Sequence, residues 1–110
     1  MIKDPPIHER PIVVCLCGST KFAQNFQYEN FRLTMEGKIV LSIGCDTKTD
    51  AGLNITDEEK AKLDALHFKK LELADVALIL NVGGYVGEST AREIAHAHAV
   101  GCVVEFLEPV

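Results

Sequence analysis

The sequence predicts an α/β fold: a single domain with a four-stranded parallel sheet in order 2-1-3-4 and helices on both faces. Three observations carry this expectation. Apolar runs alternate with longer segments of helical periodicity in the order β-α-β-α-β-α-β. The runs are continuous rather than alternating, as in strands buried on both faces. Glycine or hydroxyl residues follow the first and third runs, where a parallel sheet connected by right-handed crossovers opens its carboxyl edge. In the order 2-1-3-4 the winding reverses between the first and third strands, and ligands bind outside the strand ends at such a switch point. This is a Rossmann-like, more narrowly flavodoxin-like, arrangement.

Residues 1–11, MIKDPPIHERP, hold three prolines and mixed charges, which suits an extended N-terminal segment ahead of a domain spanning 12–110. Ile12 to Cys17, IVVCLC, reads as the first strand, and Gly18, Ser19 and Thr20 break it. Lys21 to Glu36 reads as a helix with Phe22, Phe26 and Leu33 on its stripe and Gly37 as its terminator. Lys38 to Gly44, KIVLSIG, is the second strand, followed by the polar loop CDTKTDAGLN. Thr56 and Glu59 form a capping box that starts a helix running to about Leu73. Val76 to Asn81 is the third strand. A helix from about Thr90 to Val100 stops at Gly101, and Cys102 to Leu107 is the last strand.

Composition narrows the function classes. At 110 residues the chain is one domain and short for a complete doubly wound enzyme, so an active site completed by a second subunit is expected, in a homodimer or higher homo-oligomer. A net charge of −5 argues against a nucleic acid polymer, whose phosphates call for clustered Lys and Arg, while leaving a mononucleotide open. No apolar run reaches the ~20 residues of a membrane span, and residues 1–11 lack a signal-peptide core. A cytoplasmic protein with no membrane partner is expected. Cys15, Cys17, Cys45 and Cys102 form no C-x-x-C pair, so neither a metal site nor any cofactor is expected. His96 and His98, two apart on a helix, point to different sides and do not read as a ligand pair.

Two loops carry the chemistry. The stretch Cys17, Gly18, Ser19, Thr20 and Lys21 offers backbone N–H groups and two hydroxyls at a helix start, suited to a phosphate or sugar; as a bland alternative, Ser and Thr simply cap the helix. The second, Gly83-Gly84-Tyr85-Val86-Gly87 leading through Ser89 and Thr90 into a helix, brings flexible backbone and an aromatic ring against a helix N-terminus, where the dipole favours an anion. Glu93 follows Thr90 at capping-box spacing and therefore has two readings, a cap or a catalytic carboxylate. The box at Thr56 has no run of glycines before it, and the contrast favours function for Glu93.

Across residues 12–109 the chain resembles the nucleoside 2-deoxyribosyltransferases and the related nucleotide N-glycosidases. The markers are LCGST after the first strand, LELADVALIL, and GESTAREIAHAHAVGCVVEFLEP. The resemblance implies a small nucleoside or nucleotide ligand and an N-glycosidase or deoxyribosyltransferase-like activity. It places Glu93 on the family's nucleophile. That carboxylate would attack C1′ as the base leaves, giving a glycosyl ester resolved by water or a second base. It also places His67 where the family often has an aspartate, making His67 the candidate general acid; a histidine packed along a helix face between Leu63 and Leu71 is the alternative. Asp46, Asp50 and Asp64 are further candidate acids, and Tyr85 or Phe22 are candidates for stacking on a base. Ser89 and Ala91 stand where the family commonly has glycine, and the extra chain and fifth strand usual in the family have no counterpart within these residues. A rival from another class is a nucleotide-binding or nucleotide-sensing module without catalysis.

Overall fold

A computed structural model describes residues 10–43 and 56–110. The four strands are β1 (Val13–Cys17), β2 (Ile39–Leu41), β3 (Val76–Ile79) and β4 (Val103–Phe106); the helices are α1 (Ala23–Met35), α2 (Asp57–Leu73) and α3 (Glu88–Ala99). All strand pairs are parallel in the order β2-β1-β3-β4, with Val14 beside Val40 and Val76, and Val76 beside Val103. The fold class and strand order are those expected from the sequence. Gly44 and the loop 45–54, with Asp46 and Asp50, lie outside the described residues, as do residues 1–9.

Alternation along the central strands sorts the core into two layers. Val14, Leu16, Leu78 and Leu80 pack with Phe26 and Leu33 of α1 on one face. Cys15, Cys17, Ala77 and Ile79 pack with Leu71 of α2, Ala97 of α3 and Cys102 on the other. Helices therefore cover both faces, α1 alone on the first and α2 with α3 on the second.

Local chemistry fixes the element ends. Thr56 and Glu59 form the reciprocal capping box: Glu59 N–H donates to Thr56 Oγ1 at 3.0 Å and Thr56 N–H to Glu59 Oε1 at 2.9 Å. Asp75 knits three strands, its N–H donating to Val13 O, its carboxylate accepting from Val13 N–H at 2.9 Å, and its carbonyl accepting from Val103 N–H. Gly18 leaves β1 where a Cβ would stand 3.1 Å from Leu80 Cβ, so the chain needs glycine there to pass β3 closely. A 3-10 turn over Thr20–Phe22 leads into α1, so the regular helix begins later than Lys21. Among the described residues no helix is long and apolar enough to cross a membrane.

Candidate functional site

The carboxyl ends of β1 and β3 open into a cavity of about 380 Å³, a volume within the range of small-molecule sites. Both loops singled out in the sequence reach it: Gly18, Ser19 and Thr20 from the first, and Tyr85, Gly87, Ser89 and Thr90 from the second. His67 of α2 and Glu93 of α3 line the same space, together with Lys60 and Asp64.

Two of the second loop's three glycines stand apart from the cavity. Gly83 and Gly84 adopt positive φ angles of 64° and 82° in a short 3-10 turn, are exposed, and do not line the cavity. Their backbone is tied instead to the chain end: Gly83 N–H donates to the Glu108 carboxylate at 3.1 Å, and the buried Asn81 side chain exchanges two hydrogen bonds with the Glu108 backbone. Tyr85 follows this turn and its ring meets Phe22 edge-on at 6.0 Å, while Lys21 Nζ lies 3.5 Å from the Tyr85 centroid. That is a cation–π contact holding the two loops together.

Helix α3 starts earlier than the expected Thr90. Its N-cap is Gly87, which has no side chain to cap it, and Thr90 is buried inside the first turn. The capping-box reading of Thr90 and Glu93 is thereby overturned, because a cap residue must precede the helix and Thr90 lies within it. The early start also puts the helix's first three residues, Glu88, Ser89 and Thr90, whose N–H groups have no carbonyl partner within the helix, in the cavity lining. In the first loop the two hydroxyls divide the work. Ser19 Oγ accepts from Lys21 N–H at 3.3 Å as an ordinary cap, whereas Thr20 Oγ1 is buried with no hydrogen-bond partner among the described residues.

Glu93 carries the second orphan. Its side chain is 13% exposed, and Oε1 is buried without a hydrogen-bond partner, 3.6 Å from His67 Nε2. Burial pushes its carboxyl above the ordinary range, an effect only partly opposed by the His67 charge. His67, buried on α2, is pressed down by desolvation, but hydrogen bonding and charge from Cys15, with the charge of Glu93, outweigh this and raise it. The same nitrogen, Nε2, is also approached by two sulfurs, Cys17 Sγ at 3.4 Å and Cys15 Sγ at 3.8 Å. A hydrogen bond from Cys17, aided by His67, draws the Cys15 thiol down to about 5, and the same hydrogen bond together with burial drives Cys17 up.

Cys17 therefore sits behind the cavity wall, fully buried, rather than in the first loop's ligand surface. The grouping of Cys15, Cys17 and His67 was not visible in cysteine spacing. C-x-C on a strand turns both sulfurs to one face, and the histidine comes from a helix 50 residues away. The only usable signal was the period of two within IVVCLC. His96 and His98 diverge as expected: His96 bonds Glu72 at 3.3 Å and stacks on Phe68, and His98 is exposed. Asp64 lines the cavity but is paired with Lys60 at 3.1 Å. Phe22 is engaged with Tyr85.

No family model matches the chain, and neither does any curated protein sequence. Among solved structures it resembles a CMP N-glycosidase from Clostridium botulinum, with 21% identity and a TM-score of 0.52 over 86% of this chain. The match covers 66% of that protein's length, and at this identity it speaks for a shared fold.

Proposed function

We propose that the protein is a nucleoside or nucleotide N-glycosidase, or a 2-deoxyribosyltransferase-like enzyme, that cleaves or exchanges the N-glycosidic bond through Glu93. The observation that carries this reading is the Glu93 carboxylate, buried in the wall of a nucleoside-sized cavity with a free Oε1 facing the His67 imidazole. Such a carboxylate is positioned by the fold and unspent on the fold's own hydrogen bonds. Glu93 attacks C1′, the base departs with a proton supplied by His67, and water or a second base resolves the ester. The uncapped start of α3 and the Thr20 hydroxyl bind the sugar or a 5′ substituent, and Tyr85 flanks the base. No cofactor takes part in this scheme.

The resemblance in sequence and the likeness in fold to a CMP N-glycosidase support the substrate class. The enzyme unit is residues 12–110, with 1–11 as its lead-in, in the cytoplasm. It works as a homodimer, a state supported by Tyr28, Phe31 and Met35, which are exposed on one side of α1. Incubation with a panel of nucleosides and nucleoside monophosphates, read as free base, tests the activity, and Glu93→Gln must abolish it. If the variant releases base as fast as the wild type, the covalent route is wrong.

A second reading, a nucleotide-binding module without catalysis, draws on one observation. His67 Nε2 is already surrounded by two sulfurs and a carboxylate, unlike a proton donor open to substrate. Nucleotide binding without base release in either protein identifies that case.

A further inference from the structure

We propose that Cys15, Cys17 and His67 form a binding site for a thiophilic divalent metal ion, zinc foremost, closed on its fourth side by Glu93. The site goes beyond the enzymatic reading and shares two residues with it.

The geometry is that of a tetrahedral centre. Zinc bonds of ~2.3 Å to sulfur and ~2.0–2.1 Å to nitrogen or oxygen, at tetrahedral angles, set ligand separations of about 3.6 Å for S···N, about 3.8 Å for S···S and about 3.4 Å for N···O. Here Nε2 of His67 stands 3.4 Å from Cys17 Sγ, 3.8 Å from Cys15 Sγ and 3.6 Å from Glu93 Oε1. The three atoms Cys15 Sγ, Cys17 Sγ and His67 Nε2 all lie within 4.8 Å of one another. The three separations from Nε2 therefore lie within about 0.2 Å of the tetrahedral values, while the Sγ···Sγ separation, bounded at 4.8 Å, closes by up to about 1 Å when the ion binds. Strand β1 and helix α2 hold Cys15, Cys17 and His67, and all three side chains are buried.

The chemistry of the donor set agrees. Two sulfurs and an imidazole select zinc, or cobalt as its stand-in, over calcium or magnesium, which take oxygen. A buried carboxylate oxygen without a hydrogen-bond partner beside two thiols is a concentration of potential negative charge, which a divalent ion neutralises where the fold supplies one imidazole. His67 and Glu93 line the cavity, so the ion has an entry path that does not require the sheet to open. Binding is an acid–base exchange without redox change: the two sulfurs enter as thiolates, the imidazole enters neutral, and the displaced protons go to solvent. The loaded protein has no free His67 Nε2 and no free Glu93 carboxylate, so the metal switches off the proposed base release.

The test uses the full chain after chelator treatment, titrated with Co²⁺. One equivalent should produce a sulfur-to-cobalt charge-transfer band and the visible bands of tetrahedral cobalt, both bleached by Zn²⁺. Cys15→Val, Cys17→Ser and His67→Gln should each weaken binding at least tenfold, and Glu93→Gln should weaken it less while keeping the charge-transfer band. Circular dichroism checks that each variant is folded. Should any fail to fold, protection of wild-type thiols from a thiol reagent by one equivalent of Zn²⁺ reads the same site. A featureless cobalt titration, or no zinc protection of the thiols, overturns the proposal. The inhibitory arm rests on the N-glycosidase reading, and the two fail separately. A cobalt spectrum without base release in chelated protein keeps the metal site and removes the enzyme; base release in chelated protein without a cobalt spectrum does the reverse.

Discussion

His67 Nε2 and Glu93 Oε1 face each other at 3.6 Å in the wall of the cavity, from helices α2 and α3, which strand β3 separates in sequence. The pair is strained electrostatically rather than sterically. Glu93 is buried, and the imidazole opposite it only partly offsets the cost of its charge.

Glu93→Gln should therefore stabilise the chelated protein while it abolishes base release, by roughly 10³-fold or more. Folding raises the Glu93 pKa, so its contribution is fully present below the unfolded value, near 4.5, and is lost as pH rises through the folded value. Urea melts of wild type and variant should converge at acid pH and separate as pH rises above 4.5, with the variant ahead by about 1 kcal/mol or more at neutrality. A variant less stable than wild type at pH 7 would show that the carboxylate is a net stabiliser.

His67→Gln removes the proposed proton donor and should lower the rate of base release by about 10²–10⁴-fold in chelated protein. In the proposed scheme the imidazole acts on the leaving base, so KM should change little. Poor leaving bases should suffer most, so the comparison across a base series separates lost proton donation from a general loosening of α2.

Thr56→Ala and Thr90→Ala occupy the same position in two T-x-x-E sequences and should behave differently. The first removes a formed capping box and should cost about 1 kcal/mol, lowering the melting temperature by a few degrees with activity per folded molecule unchanged. The second alters a buried side chain lining the cavity and should change KM. Steady-state kinetics beside thermal melts check both.

Gly18→Ala should destabilise by roughly 1–3 kcal/mol, because the added Cβ meets Leu80 Cβ at 3.1 Å and Leu80 O at 3.3 Å on a packed strand. A chemical melt with unchanged slope measures it. If stability is unaffected while ligand binding falls, Gly18 serves the ligand rather than the sheet.

The fold was legible because its signals are periodic and local: IVVCLC and VALIL are continuous apolar runs, and Gly37 and Gly101 end helices with positive φ. Loop chemistry was legible only in part. The glycines before α3 do mark the region of the cavity, but Gly83 and Gly84 serve a turn and Gly87 the helix start, because helix register is set by packing that the sequence does not print. Thr90 looked like a cap for the same reason. Cys15 and Cys17 were invisible as a pair with His67, since that grouping needs strand alternation and the docking of α2 at once.

The division of β1 between two layers also separates two kinds of sequence freedom. Val14 and Leu16 pack in the α1 layer and do not line the cavity, so these two positions can drift or be redesigned for solubility and heat tolerance without changing its wall. On the opposite layer Cys15 and Cys17 are at once packing and chemistry, so selection for a firmer core and selection for a working site compete over the same atoms.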